Sequence, residues 1–157
     1  MLIVADTSAL IALAACDSLP LLDHLFTDVR VPWAVFRECT VSGKPVTGRL
    51  EAYLHGRVME VDLQEFVIAV SGLGQGELEA MALYKRLHAE RLLVDDYRAR
   101  KVAYLNGIEV IGSLGVLLIA KESGLITEIR PLIIEIQNAG VRYGAQLVDA
   151  VLQLAEE

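Results

Sequence analysis

Short apolar segments alternate with longer segments of helical periodicity along most of the chain. Runs of Val, Ile and Leu without polar positions are typical of strands that are buried on both faces of a sheet. The predicted strands are Leu2–Ala5, Val29–Val31, Val58–Val61, Leu92–Val94 and Ile108–Ile111. The predicted helices are Ser8–Ala15, Leu19–Phe26, Trp33–Thr40, Arg49–His55, Glu77–Glu90, Tyr97–Asn106, Gly112–Glu122, Glu128–Ala139 and Ala145–Glu156. Repeated strand–helix units predict a parallel sheet with right-handed crossovers.

The composition narrows the class of protein further. A chain of 157 residues fits one domain, and a hydrophobic fraction of 54% fits a sheet covered on both faces. No apolar stretch reaches the roughly 18 residues of a membrane span, and no basic segment precedes the first apolar run as it would in a signal peptide. Cys16 and Cys39 lack metal-site spacing, so we expect two buried, reduced thiols in a cytoplasmic protein.

The net charge of −7 argues against a passive nucleic-acid binder, since affinity for phosphate depends on Lys and Arg. The distribution of charge along the chain weakens this argument against nucleic-acid binding. Residues 1–78 carry five basic and ten acidic residues, whereas residues 79–157 carry nine and eleven. The basic residues around the Asp95-Asp96 pair are Lys85, Arg86, Arg91, Arg98, Arg100 and Lys101. The alternative interpretation is that these cations lie on solvated helix faces.

Acidic residues recur where predicted strands end. Asp6 follows the first strand, and Asp95-Asp96 follows the fourth. In a doubly wound sheet these two carboxyl ends lie side by side, so acids about 90 residues apart are expected to meet at the edge where ligands bind. Glu38 and Glu77 fall on helices that follow strands or loops. A cluster of acids needs a neutralising partner, and hard Mg²⁺ or Mn²⁺ suits an all-oxygen site.

Asp6 and Glu38 also have interpretations that are purely structural. Asp6 could cap the following helix, although Ser8 could take that role and leave Asp6 facing the crevice. Glu38 flanks the apolar stripe of its helix and could be an exposed residue paired with Arg37 or Arg30.

Glu77, the Asp95-Asp96 pair and Ser113 also have structural interpretations. Glu77 in a first helical turn would stabilise the helix dipole by about 0.3–1 kcal/mol without any function, and it is favoured for the site only if Glu79 faces solvent. Neighbouring strand residues point in opposite directions, so one of Asp95 and Asp96 would bind metal while the other caps a helix or holds a water molecule. Ser113 could orient such a group, but we favour an N-cap.

Taken together, five motifs in this order resemble the PIN domain, the fold of VapC-like toxin ribonucleases. The nearest likeness is to a prokaryotic branch once catalogued as a domain of unknown function. The motifs span residues 1–124 and are Val4–Ile11, Pro32 to Glu38, Leu73–Ala80, Leu93–Ala103 and Val110–Leu117. One departure is Val94, because many relatives have Thr before the paired aspartates.

The resemblance implies a single PIN-like domain over residues 1–157, with an α/β fold: a three-layer α/β/α sandwich around a central parallel sheet of about four to five strands. It also implies endonucleolytic cleavage of RNA with bound Mg²⁺ or Mn²⁺. The catalytic and metal-binding acids would be Asp6, Glu38, Glu77, Asp95 and Asp96. Substrate-binding residues would be Ser113, Arg98, Arg100 and Lys101. A VapC-like toxin would be held by an antitoxin protein, and we expect a homodimer.

Two other enzyme classes fit these residues less well, and two further alternatives remain open. A phosphatase of the haloacid-dehalogenase type needs a second Asp two positions after the first, where Ser8 stands. A receiver domain needs a late Lys, and Lys121 is misplaced for that role. A different Mg²⁺-dependent phosphoesterase remains open. So does a non-catalytic interaction module, in which the acids serve only as caps and ion-pair partners.

Overall fold

The centre of the fold is a sheet of parallel strands. A computed structural model describes residues 1–41, 43, 45–65 and 72–157 of the chain. The strands are β1 (Leu2–Ala5), β2 (Asp28–Pro32), β3 (Val58–Met59), β4 (Arg91–Leu93) and β5 (Val110–Ile111). Their order across the sheet is β3-β2-β1-β4-β5, and every neighbouring pair is parallel. With helices on both sides, this confirms the predicted α/β/α sandwich.

Helices connect the strands and cover the sheet. They are α1 (Thr7–Ala15), α2 (Pro20–Leu25), α3 (Trp33–Cys39), α4 (Thr47–Leu54), α5 (Gln75–Leu87), α6 (Tyr97–Leu105), α7 (Ser113–Glu122), α8 (Arg130–Asn138) and α9 (Ala145–Leu154). A 3₁₀ turn covers Leu63–Glu65. Most of these bounds lie within one or two residues of the predicted ones.

Two predicted elements are shorter than expected because backbone groups at their ends are used elsewhere. The helix predicted to reach Glu90 stops at Leu87, since His88 adopts a left-handed conformation and Glu90 N–H donates to Leu2 O. The strand predicted to begin at Ile108 begins at Val110. Ile108 N–H donates instead to Ala103 O and closes the carboxyl end of α6.

The position of β1 brings the two ends that carry aspartates together. Ile3, Val4 and Ala5 are fully buried, which is what an apolar strand in the middle of a covered sheet requires. In the pairing of β1 with β4, Ala5 lies opposite Leu93, and Asp6 N–H continues the ladder by donating to Leu93 O. The predicted meeting of the strand-one and strand-four ends is therefore confirmed.

Two expectations drawn from composition also have a structural counterpart. Cys16 and Cys39 are both buried, as predicted. Within the described ranges, none of the helices combines the length and the apolar character that crossing a membrane requires.

Candidate functional site

A cleft of about 660 Å³ opens at the carboxyl edge of the sheet. Four of the five predicted acids line it, and Asp95 does not. The lining residues are Asp6, Thr7, Ser8, Glu38, Gly72, Gly74, Glu77, Asp96, Tyr97 and Arg98. We call this space the acidic cleft. It lies where open α/β sheets bind their ligands.

Asp6 is the most buried of these acids. It stands at the N-cap position of α1 with extended backbone angles, yet its side chain makes no capping hydrogen bond. The side chain is only 3% exposed, and Oδ1 has no hydrogen-bond partner within the described part of the chain. Burial raises the pKa of Asp6 to about 6, against hydrogen bonds from Thr7 and Ser8 and with the charge of Glu77 adding to the increase. The carboxylate is therefore held in the cleft at an energetic cost.

Ser8 links the ends of β1 and β4. Its hydroxyl donates to Asp6 Oδ2 at 3.1 Å and accepts from the backbone N–H groups of Asp95 at 3.0 Å and Asp96 at 3.3 Å. The interpretation of Ser8 as the cap of the first helix is wrong, because α1 has no side-chain cap. Its actual effect is to fix the Asp6 carboxylate relative to the paired aspartates.

Glu38 joins three elements around the cleft. Its Oε2 accepts from Thr7 Oγ1 at 2.6 Å, and its Oε1 accepts from Gly76 N at 3.1 Å. A Cβ at Gly76 would lie 2.5 Å from Glu38 Oε1, so the approach of α5 depends on the missing side chain. The alternative pairing with Arg30 is not observed, because Arg30 Nε donates to Asp28. Both carboxylate oxygens of Glu38 are thus engaged in holding the wall of the cleft.

Glu77 and its competitor Glu79 have separate positions. Glu77 Oε2 accepts from Gly74 N at 2.8 Å and faces the acidic cleft from the first turn of α5. Glu79 does not face solvent as the sequence interpretation required. Its Oε2 accepts from Ala34 N at 2.8 Å and stabilises the start of α3. Glu79 is therefore occupied at another helix, and Glu77 is the acid in the cleft.

Asp95 and Asp96 diverge, as adjacent residues at a strand end are expected to do. Asp96 lines the acidic cleft and caps α6, with Oδ2 accepting from Ala99 N at 2.9 Å. Asp95 turns toward α7, where Oδ1 accepts from Ser113 N at 2.7 Å and Oδ2 from Ser113 Oγ at 2.5 Å. Burial raises the pKa of Asp95, although Ser113 and the charge of Arg100 oppose the increase.

Ser113 has the first of its two predicted roles, because its N–H and its hydroxyl both donate to Asp95 and orient that acid. The N-cap position of α7 belongs to Gly112, so the favoured interpretation of Ser113 as a cap is wrong. Ser113 is also 0% exposed, which excludes direct contact with a substrate in this conformation. Its hydroxyl lies between Asp95 and the hydroxyl of Tyr143, 2.6 Å away. Tyr143 was not among the predicted site residues, because nothing in its local pattern indicates a contact with Ser113, 30 positions earlier.

The predicted basic residues lie on one helix beside the cleft, and their side chains do not converge on one point. Arg98 lines the acidic cleft, and its Nη1 donates to Gly72 O at 3.2 Å. Arg100 Nη1 donates to Val94 O at 3.2 Å on the side of Asp95. Lys101 Nζ lies 4.9 Å from the centroid of the Tyr97 ring. Three cations therefore lie along the N-terminal half of α6, where a polyanion approaching the cleft would meet them.

The donor set suits a hard divalent cation, with one qualification of geometry. Carboxylate and hydroxyl side chains are among the groups that line the acidic cleft, and the buried Oδ1 of Asp6 has no partner among the described residues. Across those same residues, however, no group of three or more Asp, Glu, His or Cys side chains is arranged to hold a metal ion. The oxygen ligands available in the acidic cleft are nevertheless of the type that Mg²⁺ or Mn²⁺ prefers.

Comparison with known proteins identifies the family. A family model described as a PIN domain matches residues 2–157, which is nearly the whole chain. No match was found among curated proteins or among solved structures. The match is consistent with the five-stranded parallel sheet flanked by helices. The chain belongs to the PIN domain family, whose members are generally nucleases that use divalent metals.

Proposed function

We propose that the protein is a metal-dependent endoribonuclease that hydrolyses RNA phosphodiester bonds at the acidic cleft. The observation that carries the proposal is Asp6, whose buried carboxylate has an oxygen without a partner among the described residues while it lies beside other acids. Leaving a charged oxygen buried and unpaired costs about 1–3 kcal/mol or more. A divalent cation bound there would remove that cost.

The structure supports distinct roles for the five acids. Asp6, Glu77 and Asp96 face the acidic cleft, and we assign the cation to them. Glu38 would set the distance between α5 and α1, since both of its oxygens are engaged by Thr7 and Gly76. Asp95 would support the β4–α6 corner through Ser113, which places it beside the site without facing the acidic cleft.

The proposed roles of the five acids indicate how RNA would be hydrolysed. When bound, Mg²⁺ or Mn²⁺ would activate water and neutralise charge on the phosphate that is attacked. Ser8 keeps the Asp6 carboxylate oriented by donating to Oδ2, which leaves Oδ1 without a partner among the described residues. Arg98 at the rim would bind a phosphate of the RNA backbone and hold the strand over the acids. Arg100 and Lys101 would extend that attraction along α6.

Cleavage of a labelled single-stranded RNA, assayed with Mn²⁺, with Mg²⁺ and with chelator, tests the proposal. We expect cleavage only with metal, and a loss of about a hundredfold or more in both Asp6→Asn and Asp96→Asn. Asp149→Asn, which changes an exposed carboxylate on α9, is the matched control and should cleave normally. Cleavage that persists in chelator, or that Asp6→Asn leaves intact, would refute the proposal.

We also propose that the nuclease is the toxin of a toxin–antitoxin pair and forms a homodimer. The support is the resemblance of the five sequence motifs to VapC-like proteins. Induced expression should arrest bacterial growth, and Asp6→Asn should not. Light scattering should give twice the 17.2 kDa of the chain. Unimpaired growth with an active nuclease would contradict the toxin role, and a mass of one chain would contradict the dimer.

A further inference from the structure

A second groove of about 850 Å³ continues from the acidic cleft along α6. It lies between α6, the β5–α7 corner and the segment that leads into α9. The two spaces share three lining residues, Ser8, Asp96 and Tyr97, so they adjoin each other. We call the second space the α6–α9 groove. A chain molecule bound in the acidic cleft would pass Tyr97 and enter this groove.

The α6–α9 groove combines an apolar wall with cations. Ile111, Leu114 and Leu147 supply apolar surface, whereas Arg100 and Arg142 supply positive charge. This combination matches a nucleotide, which presents a flat base for apolar and aromatic contact and an anionic phosphate for pairing. It matches an apolar peptide less well, because the guanidinium of Arg142 has no ion pair among the described residues and would then lack an anionic partner.

The carboxylate of Asp95 also lines the groove, but it would not repel an anion strongly. Both of its oxygens accept hydrogen bonds from Ser113. The guanidinium of Arg100 offsets its charge from the same side. Tyr143, whose hydroxyl contacts Ser113, lines the groove as well.

Tyr97 stands at the junction of the two spaces with 72% of its surface exposed. Lys101 Nζ lies 4.9 Å from the ring centroid, so a cation and an aromatic ring are presented together. An exposed aromatic ring beside basic residues is the usual platform on which single-stranded nucleic acids stack a base.

We propose that the α6–α9 groove is a nucleotide subsite, in which a base flanking the scissile phosphate stacks on Tyr97 and its phosphate pairs with Arg100 and Arg142. The proposal rests on the ribonuclease function proposed above and adds the residues that would hold a nucleotide beside the cut. The base on Tyr97 would have to be unpaired, because a base within a duplex cannot stack on a side chain.

Kinetics with Tyr97 variants test the subsite, using an RNA oligonucleotide whose cleavage point has been mapped. Tyr97→Ala should raise KM and the dissociation constant about tenfold or more, while kcat stays within about twofold. Tyr97→Phe keeps the ring and should behave as wild type. Tyr104→Ala, on the same helix and 81% exposed but outside the groove, is the matched control and should have no effect.

A substrate series makes the test specific to one base. Single abasic nucleotides are placed on each side of the cut, and one position should weaken wild-type binding about as much as Tyr97→Ala does. In Tyr97→Ala the same abasic substrate should cause no further loss, because the contact is already absent. Additive losses, or a Tyr97→Ala variant that matches Tyr104→Ala, would overturn the subsite.

Failure of the subsite can be distinguished from failure of the nuclease proposal. If RNA is cleaved but Tyr97 has no effect, the subsite is refuted and the nuclease stands. If RNA is not cleaved, anisotropy of the same labelled oligonucleotide in chelator measures binding alone. Binding that depends on Tyr97 then supports the subsite, and binding that does not depend on it refutes the subsite.

Discussion

Replacing Asp6 with Asn should make the metal-free protein more stable at neutral pH, although it removes a proposed catalytic group. Burial is the main reason that folding raises the pKa of Asp6 from 3.8 to about 6. Such a carboxyl stabilises the native state only while it is protonated. Its contribution is complete below pH 3.8 and is lost as the pH rises through about 6.

The size of the effect follows from the pKa. At about 1.4 kcal/mol per pKa unit, the difference between 3.8 and about 6 corresponds to about 3 kcal/mol lost at pH 8. Asn carries no charge, so Asp6→Asn avoids that loss. Its amide would leave a buried N–H where Oδ1 lacks a partner among the described residues, and that cost of about 1–3 kcal/mol reduces the net gain at pH 8 to about 0–2 kcal/mol.

Urea denaturation at pH 4, 6 and 8, in the presence of chelator, measures the difference. The stability of Asp6→Asn relative to wild type should rise by about 2–3 kcal/mol between pH 4 and pH 8, and the control Asp149→Asn should track wild type throughout. Mn²⁺ at a hundred times its dissociation constant should then stabilise wild type by about 2.7 kcal/mol and leave Asp6→Asn unchanged. A gain that is equal at pH 4 and pH 8 would refute the reasoning, because it would not come from ionisation of Asp6.

Two further predictions concern the supports of the site. Gly76→Ala should destabilise the protein by about 1–3 kcal/mol in urea, because its Cβ would lie 2.5 Å from Glu38 Oε1. Gly48→Ala, where nothing lies within 4 Å, should be neutral or stabilise by up to about 1 kcal/mol, and equal effects would contradict the steric argument. Tyr143→Phe should cost about 0.5–1.5 kcal/mol, and Ser113→Ala about 1–3 kcal/mol because it deprives a buried carboxylate of a donor. In thermal unfolding, a Tyr143→Phe variant less stable than Ser113→Ala would exclude this order.

The sequence was sufficient for the fold because the information was local and repeated. Leu2–Ala5 and Leu92–Val94 contain no polar residue, and runs of that kind are stable only where both faces of a strand are covered. The handedness of strand–helix–strand units then restricts the order of the strands. Asp6 and Asp96 could be assigned to one edge for that reason.

The details of the site depended on long-range contacts that periodicity does not encode. The direction of Asp95 is set by Ser113, which begins a helix on the far side of β5. Glu79 is kept away from the cleft because its Oε2 accepts from the backbone N–H of Ala34, 45 residues earlier, in the first turn of α3. In both cases the deciding partner is a backbone N–H at the start of another helix. Neither could be found without knowing which helix ends lie side by side.

The Ser8 hydroxyl gives the corner between β4 and α6 a signature in hydrogen exchange. This one oxygen accepts hydrogen bonds from the backbone N–H groups of both Asp95 and Asp96, although Asp96 is exposed. Because opening at a single atom would release both protons, the two amides should exchange with solvent slowly and at related rates. The exchange of this pair therefore reports whether the two halves of the sheet are still joined at the cleft, in solution and without any substrate.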